Sequence, residues 1–392
     1  MWARMLTNNV FEFTSQGRIQ QGSETDVYLV KLDNIVQWRR QPAAADSSEG
    51  QSAESRRRGR HPQPSVQVGG LYALKVCRPL QDLSEEELGS IAMPDVRTRL
   101  LKEQACYGRL GRRFLLCRCF AYGAAELLVP GAAAAPPHAE QERPCLLLEY
   151  APGGSMAALL QSPEGGVAGM SEQQAREVMR AAAEVLLGCH SERVIYRDVQ
   201  PSNIVMMQPP EGEPDFEEID FKLIDFGTSF FMDEGLGSGY RFGLPAYRAP
   251  EQGPDYHHTY TLDTWQLGCL LLHLRTGELP LPELLGLPDA EWLAKVSAVH
   301  QDILHAEQHP YLQRYTLLSQ QEREVISKCL VPAPHARPMT ERVFEDCDYF
   351  ARGGVPLTTE QVHLLQTHLP GAMERYIMSV LEGEKCARQG EV

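Results

Sequence analysis

The sequence predicts an α+β protein of two lobes, with a strand-rich N-terminal third ahead of a helix-rich remainder. Three observations carry this expectation. Residues 10–36 alternate apolar and polar side chains in "VFEFTSQGRIQ" and "DVYLVKLDNIV", around a turn at Gln21-Gly22-Ser23. That is the period of half-buried strands. Residues 171–190 have helical periodicity behind a serine cap, with Glu172 and Gln174 in the first turn. Beyond Pro250 the pattern is almost wholly helical. The chain has 392 residues, 43% of them apolar, which is ample for a large core and excludes wholesale disorder.

The elements follow in order. Residues 37–70, "RRQPAAADSSEGQSAESRRRGRHPQPS" in the main, are poor in apolar side chains and bury too little to offset their ordering entropy. They read as a disordered insertion between strands. The run "RRRGR" at 56–60 is a solvated charge run, or alternatively a docking or localisation patch. "LYALKVC" resumes a strand, and residues 84–110 read mostly as helix, broken near Pro94. Residues 131–144 form a second loop, and "CLLLEYAPGG" is a buried strand running into a turn. Strand and loop then alternate to about residue 230, with an acidic loop at "PPEGEPDFEEID". Residues 351–392 read as a C-terminal helical extension that packs on the large lobe or engages a partner.

Charge and cysteine usage narrow the class. The net charge of −15 disfavours generic binding to nucleic acid or anionic membranes. A nucleotide pocket stays open, because it needs only local positive charge. The ten cysteines lack a metal or disulfide framework, and the Cys117-x-Cys119 pair stands alone. They suit a reducing compartment. No secretory h-region opens the sequence and no apolar run spans a bilayer, so an intracellular, cytoplasmic protein is expected.

The chemistry gathers in two short stretches, "YRDVQPSN" (196–203) and "LIDFGTS" (223–229). Phosphoryl transfer needs a carboxylate to orient the attacking hydroxyl and oxygen ligands for magnesium on the triphosphate. Asp198 fits the first role, and Asn203 and Asp225 the second. Upstream, "YALKV" puts Lys75 among apolar neighbours, where it is expensive to bury unless paired. Glu103 in "LLKEQACYGRL" is the candidate partner, since Tyr107 and Leu110 follow at helical spacing. Glu85, Glu86 and Glu87 are the alternatives.

Together with "QQGSETDVYLV" and "GLPAYRAPEQ", these motifs resemble the eukaryotic-type protein kinase family, over roughly residues 12–350. The resemblance implies a two-lobed protein-kinase-like fold, with an N-lobe at 12–150 and a C-lobe at 151–350. It implies ATP and Mg2+ as cofactors and a protein substrate as partner, with no nucleic acid and no membrane. Gly22 would cover the phosphates. Val27, Ala73 and Val205 would sandwich the adenine, Leu148 would be the gatekeeper, and the backbone from Glu149 to Ala151 would meet the adenine edge. Lys75, paired with Glu103, would hold the α- and β-phosphates. Tyr196, Phe226 and Tyr107 would stack together, tied by Asp263. Glu251 would pair with Arg337. Arg197 would clamp a phosphate on the activation loop, with Ser238 and Tyr240 the nearest acceptors and Thr228 and Ser229 further candidates.

The pattern also departs from the family. Of the glycine positions only Gly22 survives, with Gln20 and Thr25 in the others. Gln200 stands where a lysine contacts the transferring phosphate, and Leu244 where a threonine bridges that lysine and the catalytic aspartate. The two changes hit one small network, and losing a donor to developing charge costs on the order of 10²–10³ in rate. Ser155, Ser202 and His273 replace carboxylates that favour basic peptides. Three readings follow: a divergent serine/threonine-type protein kinase of reduced rate, a pseudokinase that binds ATP or a partner as a scaffold, and a small-molecule kinase on the same fold.

Overall fold

The computed structural model describes residues 2–7, 9–21, 25–37, 66–78, 96–111, 116–128, 143–161, 169–209, 219–234, 243–252, 257–284 and 317–351, with a few short pieces between them. Two compact units divide the chain. The first comprises residues 1–105 and 117–150, and the second residues 106–116 and 151–392.

The first unit is built on six strands: β1 (Trp2–Leu6), β2 (Asn9–Gln21), β3 (Thr25–Gln37), β4 (Leu71–Cys77), β5 (Cys119–Leu128) and β6 (Arg143–Glu149). They pair in the order β1-β2-β3-β4-β6-β5, and β1 also pairs with β5, so the sheet closes into a barrel. Strand alternation sends one set of side chains inward. Met5 lies opposite both Phe11 and Ala125, and Leu74 lies opposite Leu147. These five residues and Phe13, Val30, Leu32, Tyr72, Val76 and Cys145 are buried in one cluster. Gly123 lets β1 and β5 approach: a Cβ there would sit 2.3 Å from the Leu6 carbonyl oxygen.

Strand structure therefore begins earlier than residue 10, within a segment whose brevity hid it. Of the segment 37–70 expected as a disordered insertion, both described ends are structured. Gln37 closes β3, and residues 66–70 form a turn in which Gly69 N–H donates to the Leu32 carbonyl at 2.7 Å. Residues 38–65 lie outside the described residues, as do Gly22, the region of Pro94 and residues 352–392. Arg143 and Pro144, expected in a loop, open β6.

Helix α1 (Val96–Leu110) gives its first part to the first unit and its end to the second. In the second unit lie helices α2 (Met156–Leu160), α3 (Glu172–Ser191), α4 (Thr261–Thr276), α5 (Gln320–Cys329) and α6 (Thr340–Asp346). Ser171 caps α3, and Ser171 and Gln174 form a reciprocal capping box. Helix α4 is buried over most of its circumference, from Thr261 through Leu272. Beside these helices run two-residue and three-residue strands. β7 (Val194–Ile195) pairs with β10 (Phe230–Phe231), and β8 (Ile204–Met206) pairs with β9 (Phe221–Leu223). β11 (Gly237–Ser238) pairs with β12 (His257–His258). No helix among the described residues is long and apolar enough to cross a membrane.

Candidate active site

On the first unit, the face of the sheet turned away from the barrel core carries the expected nucleotide contacts. Residues opposite each other across a ladder share a face. Val27 lies opposite Lys75, Lys75 opposite Leu146, and Ala73 opposite Leu148. The sheet thus gathers Val27, Ala73, Lys75 and Leu148 in two adjacent rows. Lys75 is buried, and its Nζ lies 2.8 Å from Oε2 of the fully buried Glu103. A buried ammonium next to a buried carboxylate depends on such close geometry, and removing one partner weakens the hold on the other. At the end of β6, the Glu149 N–H donates to the Arg118 carbonyl at 2.8 Å, and Arg118 N–H donates to Glu149 Oε2 at 3.0 Å.

On the second unit, the hairpin of β8 and β9 brings Asn203 and Asp225 to one end. Ile204 pairs with Leu223, and Ile224 N–H donates to the Asn203 carbonyl at 3.0 Å. Asn203 closes a 3-10 turn (Pro201–Asn203), and its Nδ2 donates to the Asp198 carbonyl at 2.9 Å and to Asp198 Oδ2 at 2.8 Å. Gln200 Nε2 donates to the other oxygen, Asp198 Oδ1, at 2.8 Å. Two neutral amides therefore hold both oxygens of this carboxylate. Gly243 lies against it as well: with φ +73°, its missing Cβ would fall 2.9 Å from Asp198 Oδ1. Among the expected adenine contacts, Val205 is buried on β8 and bridges to Ser155, while the Ala151 carbonyl accepts from Gly154 N–H at 3.3 Å.

The loop that carries Asp198 is strained and braced. Arg197 (φ 70°) and Asp225 (φ 61°) occupy the left-handed region that non-glycine residues rarely adopt. Asp263, fully buried on α4, accepts Tyr196 N–H at 2.9 Å, Arg197 N–H at 2.7 Å and the His190 ring Nε2 at 2.8 Å. Phe226 packs edge-on between Tyr196, at 5.0 Å between ring centroids, and Tyr107, at 5.1 Å. Glu251 and Arg337 form a two-pronged buried pair at 2.6 and 3.1 Å.

Arg197, expected to clamp a loop phosphate, is held by several protein groups. Its Nε donates to the Thr228 carbonyl at 2.5 Å, Nη1 lies 3.2 Å from His258 Nδ1, and the guanidinium sits over the Phe230 ring. Burial pushes this guanidinium down to about 10, with Asp263 opposing the shift. Of the expected phosphate acceptors, Ser229 is buried and donates to the Tyr196 carbonyl at 3.2 Å. The backbone of Ser238 pairs with His257, and Tyr240 lies outside the described residues.

Sequence reasoning missed Gln266, which is buried on α4 and bonded to the backbone on both sides of Asp198. The signal was there: a glutamine within the apolar run "DTWQLGCLLLHL" needs partners.

The donor set fits magnesium. Asp225 and Asn203 offer hard oxygen atoms, and magnesium is commonly held by one or two such side chains plus substrate phosphates. Among the described residues no cluster of three or more His, Cys, Asp or Glu residues offers an all-protein metal cage.

Comparison with known proteins places the chain in a family. The family model for the protein kinase domain matches residues 137–349. The chain is 26% identical over 220 residues to the inactive serine/threonine-protein kinase PLK5 of Mus musculus, covering 56% of this chain and 32% of that protein. It is 27% identical over 206 residues to Aurora kinase A-A of Xenopus laevis, covering 53% of this chain and 44% of that protein. It is 28% identical over 135 residues to the serine/threonine-protein kinase ULK1 of Homo sapiens, covering 34% of this chain and 12% of that protein. The chain thus spans less than half the length of each of these relatives. Lys75 and Glu103 precede the family-matched residues, so their pairing is an observation of the structure alone. The family model covers more than half of the chain, including Asp198, Asn203 and Asp225, and the chain belongs to the protein kinase domain family.

Proposed function

We propose that this chain is an ATP-dependent protein kinase that transfers the γ-phosphoryl group to a serine or threonine hydroxyl, at a reduced rate. The observation that carries the reading is the held state of Asp198, whose carboxylate oxygens are oriented by Gln200 and Asn203. Scaffolds that have lost the reaction have no need of an oriented base. Lys75, kept in place by Glu103, would hold the α- and β-phosphates. Val27, Ala73, Leu148 and Val205 would contact the adenine, with the backbone of Glu149 to Ala151 along its edge and Gly22 near the phosphates. Asn203, whose Nδ2 is committed to Asp198, would offer its amide oxygen to Mg2+ beside the Asp225 carboxylate. Bound there, the ion would neutralise charge on the phosphate oxygens. Asp198 would accept a hydrogen bond from the substrate hydroxyl and aim it at the phosphorus. Gln200 would offer a neutral donor where the family has a charged one. The serine/threonine preference is supported by relatives named as serine/threonine-protein kinases, ULK1 of Homo sapiens among them.

The second reading, a pseudokinase scaffold, draws on the relative named inactive and on the replaced lysine and threonine. Autophosphorylation with magnesium-ATP, wild type beside Asp198→Asn, separates the two. Incorporation above the Asp198→Asn blank supports the kinase. A thermal shift with magnesium-ATP but no incorporation supports the scaffold.

A further inference from the structure

We propose that Gln266 is a positioning residue for Asp198, acting through the backbone on either side of it; this rests on the kinase reading above. Gln266 lies on α4, one turn beyond Asp263, with 1% of its surface exposed. Its Oε1 accepts Val199 N–H at 3.0 Å, and its Nε2 donates to the Arg197 carbonyl at 2.9 Å. The Arg197 carbonyl belongs to the peptide plane before the Asp198 Cα, and the Val199 N–H to the plane after it. One amide side chain bonded to both planes fixes the two backbone torsions of Asp198 and hence the direction of its Cα–Cβ bond. Beyond Cβ, Gln200 and Asn203 take over, each holding one carboxylate oxygen. Every rotatable bond of the base is then set by a named contact.

The loop needs this help. Arg197 sits at φ 70°, a conformation that persists only where the surroundings impose it. Asp263 satisfies the N–H groups of Tyr196 and Arg197 but reaches neither the Arg197 carbonyl nor the Val199 N–H. An amide meets those two groups with a donor and an acceptor on separate atoms of one plane, whereas an ionised carboxylate has no donor and a hydroxyl offers both functions from a single atom. Asparagine is one methylene short of spanning both.

The test compares wild type, Gln266→Met, Gln266→Asn and Leu270→Ala. Leu270 is fully buried on the same helix and serves as a stability control. The readouts are autophosphorylation rate against magnesium-ATP concentration, the thermal midpoint, and hydrogen exchange of the peptide covering residues 196–200. Gln266→Met should lower kcat by about 10- to 100-fold, the scale of a slightly misplaced group. KM for ATP should stay within about twofold, because binding contacts are untouched. Exchange should rise at 196–200. Leu270→Ala, with an equal or larger drop in thermal midpoint, should keep kcat near wild type. Gln266→Asn should fall between wild type and Gln266→Met, and it carries the same criteria if Gln266→Met does not fold. The proposal is overturned if kcat simply follows thermal midpoint across all variants, or if exchange at 196–200 is unchanged. If wild type itself sits at the Asp198→Asn blank, the kinase reading fails. Exchange then decides alone: added exchange confined to 196–200 upholds the bracing, and unchanged exchange overturns it.

Discussion

Gln200 donates its side-chain amide to Oδ1 of Asp198 at 2.8 Å. The residue that stands where the family has a lysine is thus bonded to the proposed base, and it supplies a donor without a charge. Gly243 packs against the same oxygen, and Leu244 follows it where a threonine hydroxyl is usual. Restoring one group without the other should therefore accomplish little. In Gln200→Lys the ammonium lacks a hydroxyl to anchor it. In Leu244→Thr the hydroxyl lacks its lysine. The double change should exceed the sum of the singles, with a coupling of about 0.5–3 kcal/mol. The measurement is turnover at saturating ATP for all four proteins, with Asp198→Asn as blank. A double variant no faster than wild type would show that Gln200 belongs to a different working arrangement.

The buried Lys75–Glu103 pair gives a prediction about stability as well as nucleotide. Lys75→Met takes the ammonium at 2.8 Å away from the buried Glu103 carboxylate, and should cost about 3–5 kcal/mol. Replacing both, as Lys75→Met with Glu103→Leu, should cost less than either single change. Urea midpoints of the three variants measure this. All three should also show a smaller thermal shift with magnesium-ATP. Additive losses in the double variant would mean that the two side chains do not depend on each other.

His273 makes stability depend on pH. Burial holds its imidazole down, from the usual 6.5 to about 4, and Tyr247 Oη lies 2.8 Å from Nδ1. The folded protein keeps this ring neutral where the unfolded chain protonates it. The unfolded state therefore binds more protons between about pH 4 and 6.5, and stability rises with pH across that window. The contribution is complete above 6.5 and is lost as pH falls towards 4. Carboxylates titrate in the same range, so the informative quantity is a difference. The wild-type thermal midpoint should fall more steeply than that of His273→Gln between pH 7 and pH 4.5. Parallel curves would remove His273 from the account.

Much of the site was legible because its chemistry admits few alternatives. A lysine in an apolar strand is expensive to bury unpaired, the family resemblance implies a helix glutamate as its partner, and helical spacing pointed to Glu103, which lies 2.8 Å away. Tyr196, Phe226 and Tyr107 come together as the family resemblance implies, as do Glu251 and Arg337. What escaped was set by contacts distant in sequence. Arg197 meets His258 and Phe230, and nothing near Arg197 in the chain announces either. Gln266 was visible only as a polar residue among leucines, without a hint of which backbone it serves. Strand β1 was hidden for another reason. Five residues carry little periodicity, and one of its two partners lies more than a hundred residues downstream.

That strand supports a last prediction. β1 occupies both sides of a seam, pairing with β2 and β5, and without it the barrel has two open edges. Met5 is fully buried and lies opposite Phe11 and Ala125, so Met5→Ala should cost about 2–5 kcal/mol as a cavity in the core. Gly123→Val attacks the same seam from the other side. Its Cβ would fall 2.3 Å from the Leu6 carbonyl oxygen, a backbone atom held in the ladder and unable to rotate away. Both variants should therefore loosen β1 rather than unfold the second unit. Limited proteolysis should cut first near residues 6–9, and hydrogen exchange should rise in β1, in the first half of β2 and in β5. Deleting residues 2–7 should produce the same exchange pattern and lower the thermal midpoint. A deletion variant with an unchanged midpoint and an unchanged magnesium-ATP shift would show that β1 adds nothing to the stability of the barrel. A Gly123→Val protein with wild-type exchange would mean that β5 can move away from β1 at no cost, which contradicts the close approach seen at Leu6.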